Sequence, residues 1–209
     1  MKPIWLLSSH KGGAGLSFCA RNLAWLQSRK TPTRLLEPIL RRQQDYVSHD
    51  TPRASDLPDD WVAQVQADKD KTWLLEASLG WILQDMPVSF RTRSVLLLVL
   101  PAEPLAYRSL STALDALRLA WPEPPLKGIV LNQPTVPRSE LDVFSAYVQS
   151  ELKPYLLPRY IPYSDQAQRA SLEQKDLLAM ASSDSALYDA FQAIQQCLLQ
   201  DTPANLSHI

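Results

Sequence analysis

The sequence predicts a three-layer α/β fold, a mainly parallel sheet flanked by helices, and three observations carry that expectation. First, Ile4-Trp5-Leu6-Leu7, Thr72-Trp73-Leu74-Leu75 and Ser94-Val95-Leu96-Leu97-Leu98-Val99-Leu100 are apolar runs without polar alternation. Such runs mark strands covered on both faces, as in a parallel sheet. Second, helical stretches separate the runs, and strands alternating with helices of that length make layered α/β folds. Third, Gly12, Gly13 and Gly15 fall directly between the first apolar run and the first helical stretch.

The elements follow in order. After the glycines, a helix is expected from Ser17 to about Arg29, with Phe18, Leu23, Trp25 and Leu26 set among Arg21, Asn22 and Gln27. Thr33-Arg34-Leu35-Leu36 reads as a short second strand stopped near Pro38. The stretch from about residue 41 to 71 turns polar, with Pro52, Pro58 and several Asp residues, and carries one short helical candidate, Asp60 to Gln66. It reads as a mobile or partner-facing segment. Beyond the two central apolar runs, a helix is expected over Tyr107 to Leu119 and a strand over Lys127 to Asn132. A helix over Glu140 to Leu152 and a short strand at Arg159-Tyr160-Ile161, ended by Pro162, come next. Helices are then expected from Asp165 and from Ser183. In the last of these Leu187, Phe191, Ile194 and Leu198 share one face and should dock on the core.

With 209 residues, 45% of them hydrophobic, the chain can bury one sizeable core, and a single domain over residues 1–209 is expected. The 21 Lys and Arg nearly balance the 22 Asp and Glu, so no global basic field draws in nucleic acid or anionic lipid. Strong nucleic-acid binding is therefore not expected, and membrane association only through a partner. The pairs Arg41/Arg42 and Arg91/Arg93 read as solvated surface rather than a DNA patch. Cys19 and Cys197 lack metal-ligand spacing and read as inert thiols. No secretory signal opens the chain, because the apolar run from Met1 to Leu7 stops at Ser8, Ser9, His10 and Lys11. The longest apolar run, Val95 to Leu100, is far short of a membrane span, which makes a cytoplasmic location the expectation.

The stretch Lys11-Gly12-Gly13-Ala14-Gly15-Leu16-Ser17 is the most informative. Glycines there let the backbone wrap a phosphate, with amide hydrogens and a helix N-terminus supplying positive potential. A tight structural turn is the plainer alternative. The segment resembles the deviant Walker A motif of the ParA/MinD family of P-loop proteins. Four further matches fall in the family's order: Trp73-Leu74-Leu75-Glu76, Leu98-Val99-Leu100-Pro101-Ala102-Glu103-Pro104, Ile129-Val130-Leu131-Asn132 and Tyr160-Ile161-Pro162-Tyr163. The resemblance implies a nucleotide site formed by residues 11–18, from Lys11 to Phe18, with Asn132 reading the base and Pro162 and Tyr163 stacking beside it. Ser17 and Glu76 stand at the positions it implies for Mg2+. Lys11 stands where the family has the lysine that reaches the nucleotide of the opposite subunit in a dimer.

Departures are as informative as matches. Leu16 stands where the family has its phosphate-binding lysine, and Ile39 in Leu36-Glu37-Pro38-Ile39 replaces the second carboxylate of the family's Asp-x-Asp pattern. ATP binding, if retained, should be weak, and hydrolysis weaker still. The expected role is a nucleotide-fold switch or scaffold, a homodimer or a component bound to a different protein. It would serve assembly or positioning of a larger bacterial complex. Leu23-Ala24-Trp25 and Leu156-Leu157-Pro158 are loosely similar to BcsQ-type proteins of cellulose secretion. The alternative is a plasmid or chromosome partition ATPase that binds DNA nonspecifically as a dimer. His10 invites a catalytic reading beside the loop, yet no paired carboxylate spacing supports it. The tryptophans, among them Trp5, Trp25, Trp73 and Trp81, fit core packing better than a ligand cage.

Overall fold

The computed structural model describes residues 2–38, 42–46, 53–101, 103, 106, 109–121, 126–132, 156–157, 159–165 and 185–200. Among them run seven strands: β1 Ile4–Ser9, β2 Thr33–Glu37, β3 Arg42–Tyr46, β4 Arg53–Asp56, β5 Thr72–Ser78, β6 Ser94–Pro101 and β7 Leu126–Asn132. The helices are α1 Leu16–Ser28, α2 Trp61–Ala67, α3 Leu79–Gln84, α4 Val88–Arg91, α5 Leu110–Ala120 and α6 Ser185–Leu199. The strands form one sheet in the order β4-β3-β2-β5-β1-β6-β7. The five strands β2, β5, β1, β6 and β7 are parallel, while β3 and β4 add an antiparallel edge.

Alternation along each central strand feeds two apolar layers. Trp5, Leu7, Leu35, Leu74, Leu97, Val99 and Val130 face one way and pack with Leu23 and Leu26 of α1 and Leu187, Phe191, Ile194 and Leu198 of α6. Ile4, Leu6, Leu36, Trp73, Leu75, Leu96, Leu98 and Ile129 face the other way, onto Ile82, Phe90, Leu114 and Leu117. Both faces of these strands are covered, which is why their sequences read as unbroken apolar runs. Trp5 and Trp73 sit inside these layers, as core packing requires.

Apart from the short strand at Arg159-Tyr160-Ile161, the expected strands and helices within the described residues are present, with ends shifted by a few residues. The polar stretch after residue 41 holds more than the single helix expected of it. Beside α2 it contributes the two edge strands, held to β2 by the antiparallel ladder in which Thr33 pairs with Tyr46 and Leu36 with Gln43. Strands of composition Arg-Gln-Gln-Asp-Tyr and Arg-Ala-Ser-Asp show no apolar alternation in sequence, and it is their backbone pairing that reveals them. Polar edges of this kind also discourage pairing with other chains. The short helices α3 and α4 had no sequence signal. The first is capped by the Ser78 hydroxyl, which accepts from the Trp81 amide at 3.2 Å. Near Arg159-Tyr160-Ile161 the chain makes isolated parallel bridges, Leu156 with Ile129 and Ile161 with Asn132. The helix expected over Glu140 to Leu152, and all but Asp165 of the one after it, lie outside the described residues. Among the described residues no helix is long and apolar enough to cross a membrane.

Candidate functional site

The loop between β1 and α1 lies at the carboxyl edge of the parallel strands, where ligands of open α/β sheets bind. Its shape depends on two left-handed glycines, Gly13 at φ 75° and Gly15 at φ 74°. A Cβ on Gly12 or Gly13 would meet nothing within 4 Å, so this side of the loop is open. Gly15 is different, because a Cβ there would lie 2.0 Å from Nδ2 of Asn132. Below it, the Asn132 amide donates to the Ala14 carbonyl at 2.8 Å and props the loop from the end of β7. Ser9 fastens the entry: its hydroxyl accepts from the Lys11 amide at 3.2 Å and donates to the Lys11 carbonyl at 3.0 Å.

Gly15 is also the N-cap of α1, and the first turn of that helix carries no acidic residue. The amides of a first helical turn have no intrahelical acceptor, and the helix dipole makes that end positive. The loop and helix start form one wall of a cleft of about 580 Å3, lined by residues 9–18 together with Glu37, Glu76, Ala77 and Ser78. Lys11 to Phe18 therefore share one cleft.

The two carboxylates arrive by strand alternation. Glu37 lies two residues beyond Leu35 on β2 and Glu76 two beyond Leu74 on β5, which puts both on the sheet face that carries α1. The Ser17 hydroxyl donates to Glu76 Oε1. Glu76 Oε2 and Glu37 Oε1 are buried without a hydrogen-bond partner, and Glu37 is only 8% exposed. Burial pushes the Glu76 carboxyl up to about 7, with the charge of Glu37 adding to the rise and the Ser17 hydrogen bond and Arg21 opposing it. Glu37 was the site residue that sequence reasoning passed over as a ligand. Its spacing from Leu35 was the available signal.

On the other flank, Lys11 Nζ pairs with Glu103 Oε2, just past β6. His10 Nε2 lies 2.9 Å from both the Ala106 carbonyl and the Ser109 hydroxyl. Its Nδ1 is buried without a partner, and burial holds the imidazole below its ordinary pKa, against the Ala106 hydrogen bond and with the Lys11 charge. His10 thus ties the loop to the chain beyond β6. Leu16 and Phe18 are half-buried and pack against the apolar layer beneath α1, Phe18 edge-on to Phe191 at 5.8 Å. Pro162 and Tyr163 follow the Ile161 bridge but do not line the cleft, and the Tyr163 hydroxyl, on a half-exposed side chain, donates to Asp165 at 2.9 Å. Burial keeps Cys19 a thiol and raises the half-buried Cys197.

The cleft combines backbone donors and a helix N-terminus with hard oxygen ligands, a set suited to a phosphate group and a divalent cation. Solved structures show the same frame. The chain superposes on a ParA family ATPase from Chlorobium tepidum TLS with a TM-score of 0.65 at 15% identity, over 96% of this chain and 100% of that one. It superposes on apo McdA from Cyanthece with a TM-score of 0.62 at 13% identity, over 95% of this chain and 100% of that one. No protein-family model matches the sequence, and no curated protein does either. The fold is thus a ParA-type, P-loop NTPase-like α/β fold. At such identities the likeness concerns the fold.

Proposed function

We propose that this protein is a ParA/MinD-like nucleotide-fold switch or scaffold with weak or no ATP hydrolysis, acting through a protein partner in the assembly or positioning of a larger complex. The single observation that carries this reading is the position of Leu16. It begins α1 at the phosphate end of the cleft, yet its side chain packs with the apolar layer. Among the described residues Lys11 is then the one Lys or Arg lining the cleft, set against Glu37 and Glu76.

Mg2+ fits the residues present. Among the described residues no three His, Cys, Asp or Glu side chains gather into a metal cluster, and Mg2+ needs none, because it takes one or two carboxylates and completes its shell with water and phosphate oxygens. Ser17, Glu76 and Glu37 would hold it, and its charge would neutralise the phosphates that face those carboxylates. The buried oxygens without partners on Glu37 and Glu76 support that assignment. Gly12 to Ser17 would wrap the phosphates through backbone amides. Leu16 offers no cation to the charge that develops on a transferring phosphoryl group, and Ile39, which lies outside the described residues, replaces in sequence the family's second carboxylate, so binding and turnover are expected to separate. The loose likeness to BcsQ-type proteins makes a cellulose-secretion apparatus the assembly we propose. The test is an ATPase assay of the purified chain with Mg2+: turnover at background is expected, whereas robust turnover abolished by Lys11→Ala would overturn the reading.

A further inference from the structure

The acidic groups around the loop are not all on the metal side. Glu37 and Glu76 flank it on the β2 and β5 side, while Glu103 stands on the β6 side and takes the Lys11 amine. Lys11 and Glu103 side chains are 35% and 47% exposed, so the pair is neither locked in the core nor freely solvated. We propose that Glu103 is a built-in competitor for anions at this cleft: its carboxylate engages Lys11, among the described residues the one Lys or Arg that lines the cleft. An anion entering the cleft competes with Glu103 for the Lys11 amine, and once the amine shifts to it the vacated carboxylate becomes a newly uncovered charge just past β6. His10 grips the chain beyond β6 separately, through the Ala106 carbonyl and the Ser109 hydroxyl. Neither of these contacts involves the Lys11 amine, so the change falls on Glu103.

The inference rests on the functional reading only in taking the cleft as an anion site, and its strength is set by the exposure of the pair. Half-exposed ion pairs contribute up to about 1 kcal/mol, which corresponds to about a fivefold change in affinity. Glu103→Gln keeps the shape and removes the charge. Titrated with pyrophosphate at low ionic strength, this variant should bind about two- to fivefold more tightly than wild type. Lys11→Gln should bind more weakly, and adding Glu103→Gln to it should give no further gain, the coupling expected of two residues acting as a pair. A second readout needs no ligand: acetylation of the Lys11 amine by acetic anhydride should be faster in Glu103→Gln than in wild type. Equal pyrophosphate affinity in wild type and Glu103→Gln, or a gain that persists without Lys11, would overturn the inference and leave the nucleotide reading intact. No pyrophosphate binding to Glu103→Gln would overturn it as well. Pyrophosphate binding with the predicted coupling but no ATP binding would sink the nucleotide reading while the role of Glu103 stands.

Discussion

Gly15 meets two demands at one position, a left-handed backbone and a close approach by Asn132. Gly13 meets only the first, which makes the two glycines a controlled comparison. Gly13→Ala should cost about 1 kcal/mol, the penalty of a Cβ at positive φ. Gly15→Ala should cost about 2 to 3 kcal/mol, because it must also displace the Asn132 amide from the Ala14 carbonyl. Denaturant unfolding of both variants checks this, and equal losses would show that the Asn132 prop carries no weight. The glycines were legible in the sequence, but their partner was not, since Asn132 lies 118 positions from Ala14. The family resemblance implied a base-reading role for Asn132, whereas in the fold its amide props the loop from beneath. Glu76 yields a pH signature. Its folded pKa of about 7 lies above the ordinary carboxylate value of 4.5, so the folded chain holds a proton there that the unfolded chain releases. Its contribution to stability is fully present below about pH 4.5, falls as pH rises to about 7, and is flat beyond. Compared at pH 5 and pH 8 in a chelator, Glu76→Gln should lose less stability than wild type. An equal loss would remove Glu76 as the source.

At the scale of elements, the final helix α6 closes the layer over the loop helix α1, and its docking combines apolar and polar contacts. Phe191 is fully buried and touches Phe18 beside the cleft. Behind them Gln195 Nε2 donates to Gln27 Oε1 at 2.7 Å, Lys30 donates to Gln195 Oε1 at 2.8 Å, and Gln27 Nε2 reaches Thr31 at 3.0 Å. Phe191→Ala should cost about 3 to 5 kcal/mol through the cavity it leaves. Gln195→Ala should cost about 1 to 3 kcal/mol, because the Gln27 carbonyl loses its donor in a buried site. Thermal or denaturant unfolding measures both, and a negligible effect of Phe191→Ala would mean that α6 is not docked as described. The apolar spacing of Leu187, Phe191, Ile194 and Leu198 made this helix legible. The polar network was not, because the partners of Gln27 and Gln195 are set only where the two helices meet. The edge strands β3 and β4 stayed hidden for a related reason: their backbone finds partners, while their side chains carry no periodic signal.

Across the whole molecule, charge is arranged rather than abundant. Arg91 donates to the Ala120 carbonyl at 2.7 Å, and Arg93 to the Val65 carbonyl at 3.1 Å and the Lys2 carbonyl at 3.2 Å, so both hold elements together. They do not stand out as a basic patch. Nonspecific duplex DNA binding should accordingly be weak at physiological salt, since few cations are available to release counterions. Submicromolar binding that falls steeply with added salt would favour a partition-type function instead. The fold was legible in the order of apolar runs and in the glycine cluster, and the cleft in the spacing of residues 11–18. Glu76 was already marked by the family resemblance, whereas the places of Glu37 and Glu103 around the cleft emerged only when β2, β5 and β6 were set side by side. The central claim is that the phosphate loop keeps its backbone and lacks its cation. It is tested most directly by calorimetric titration of wild type and Leu16→Lys with ATP and Mg2+. A charge-assisted contact of about 1.5 to 3 kcal/mol predicts roughly a tenfold to hundredfold gain in affinity for Leu16→Lys, with turnover still near background. Tight binding by wild type, with no gain from the added lysine, would contradict it.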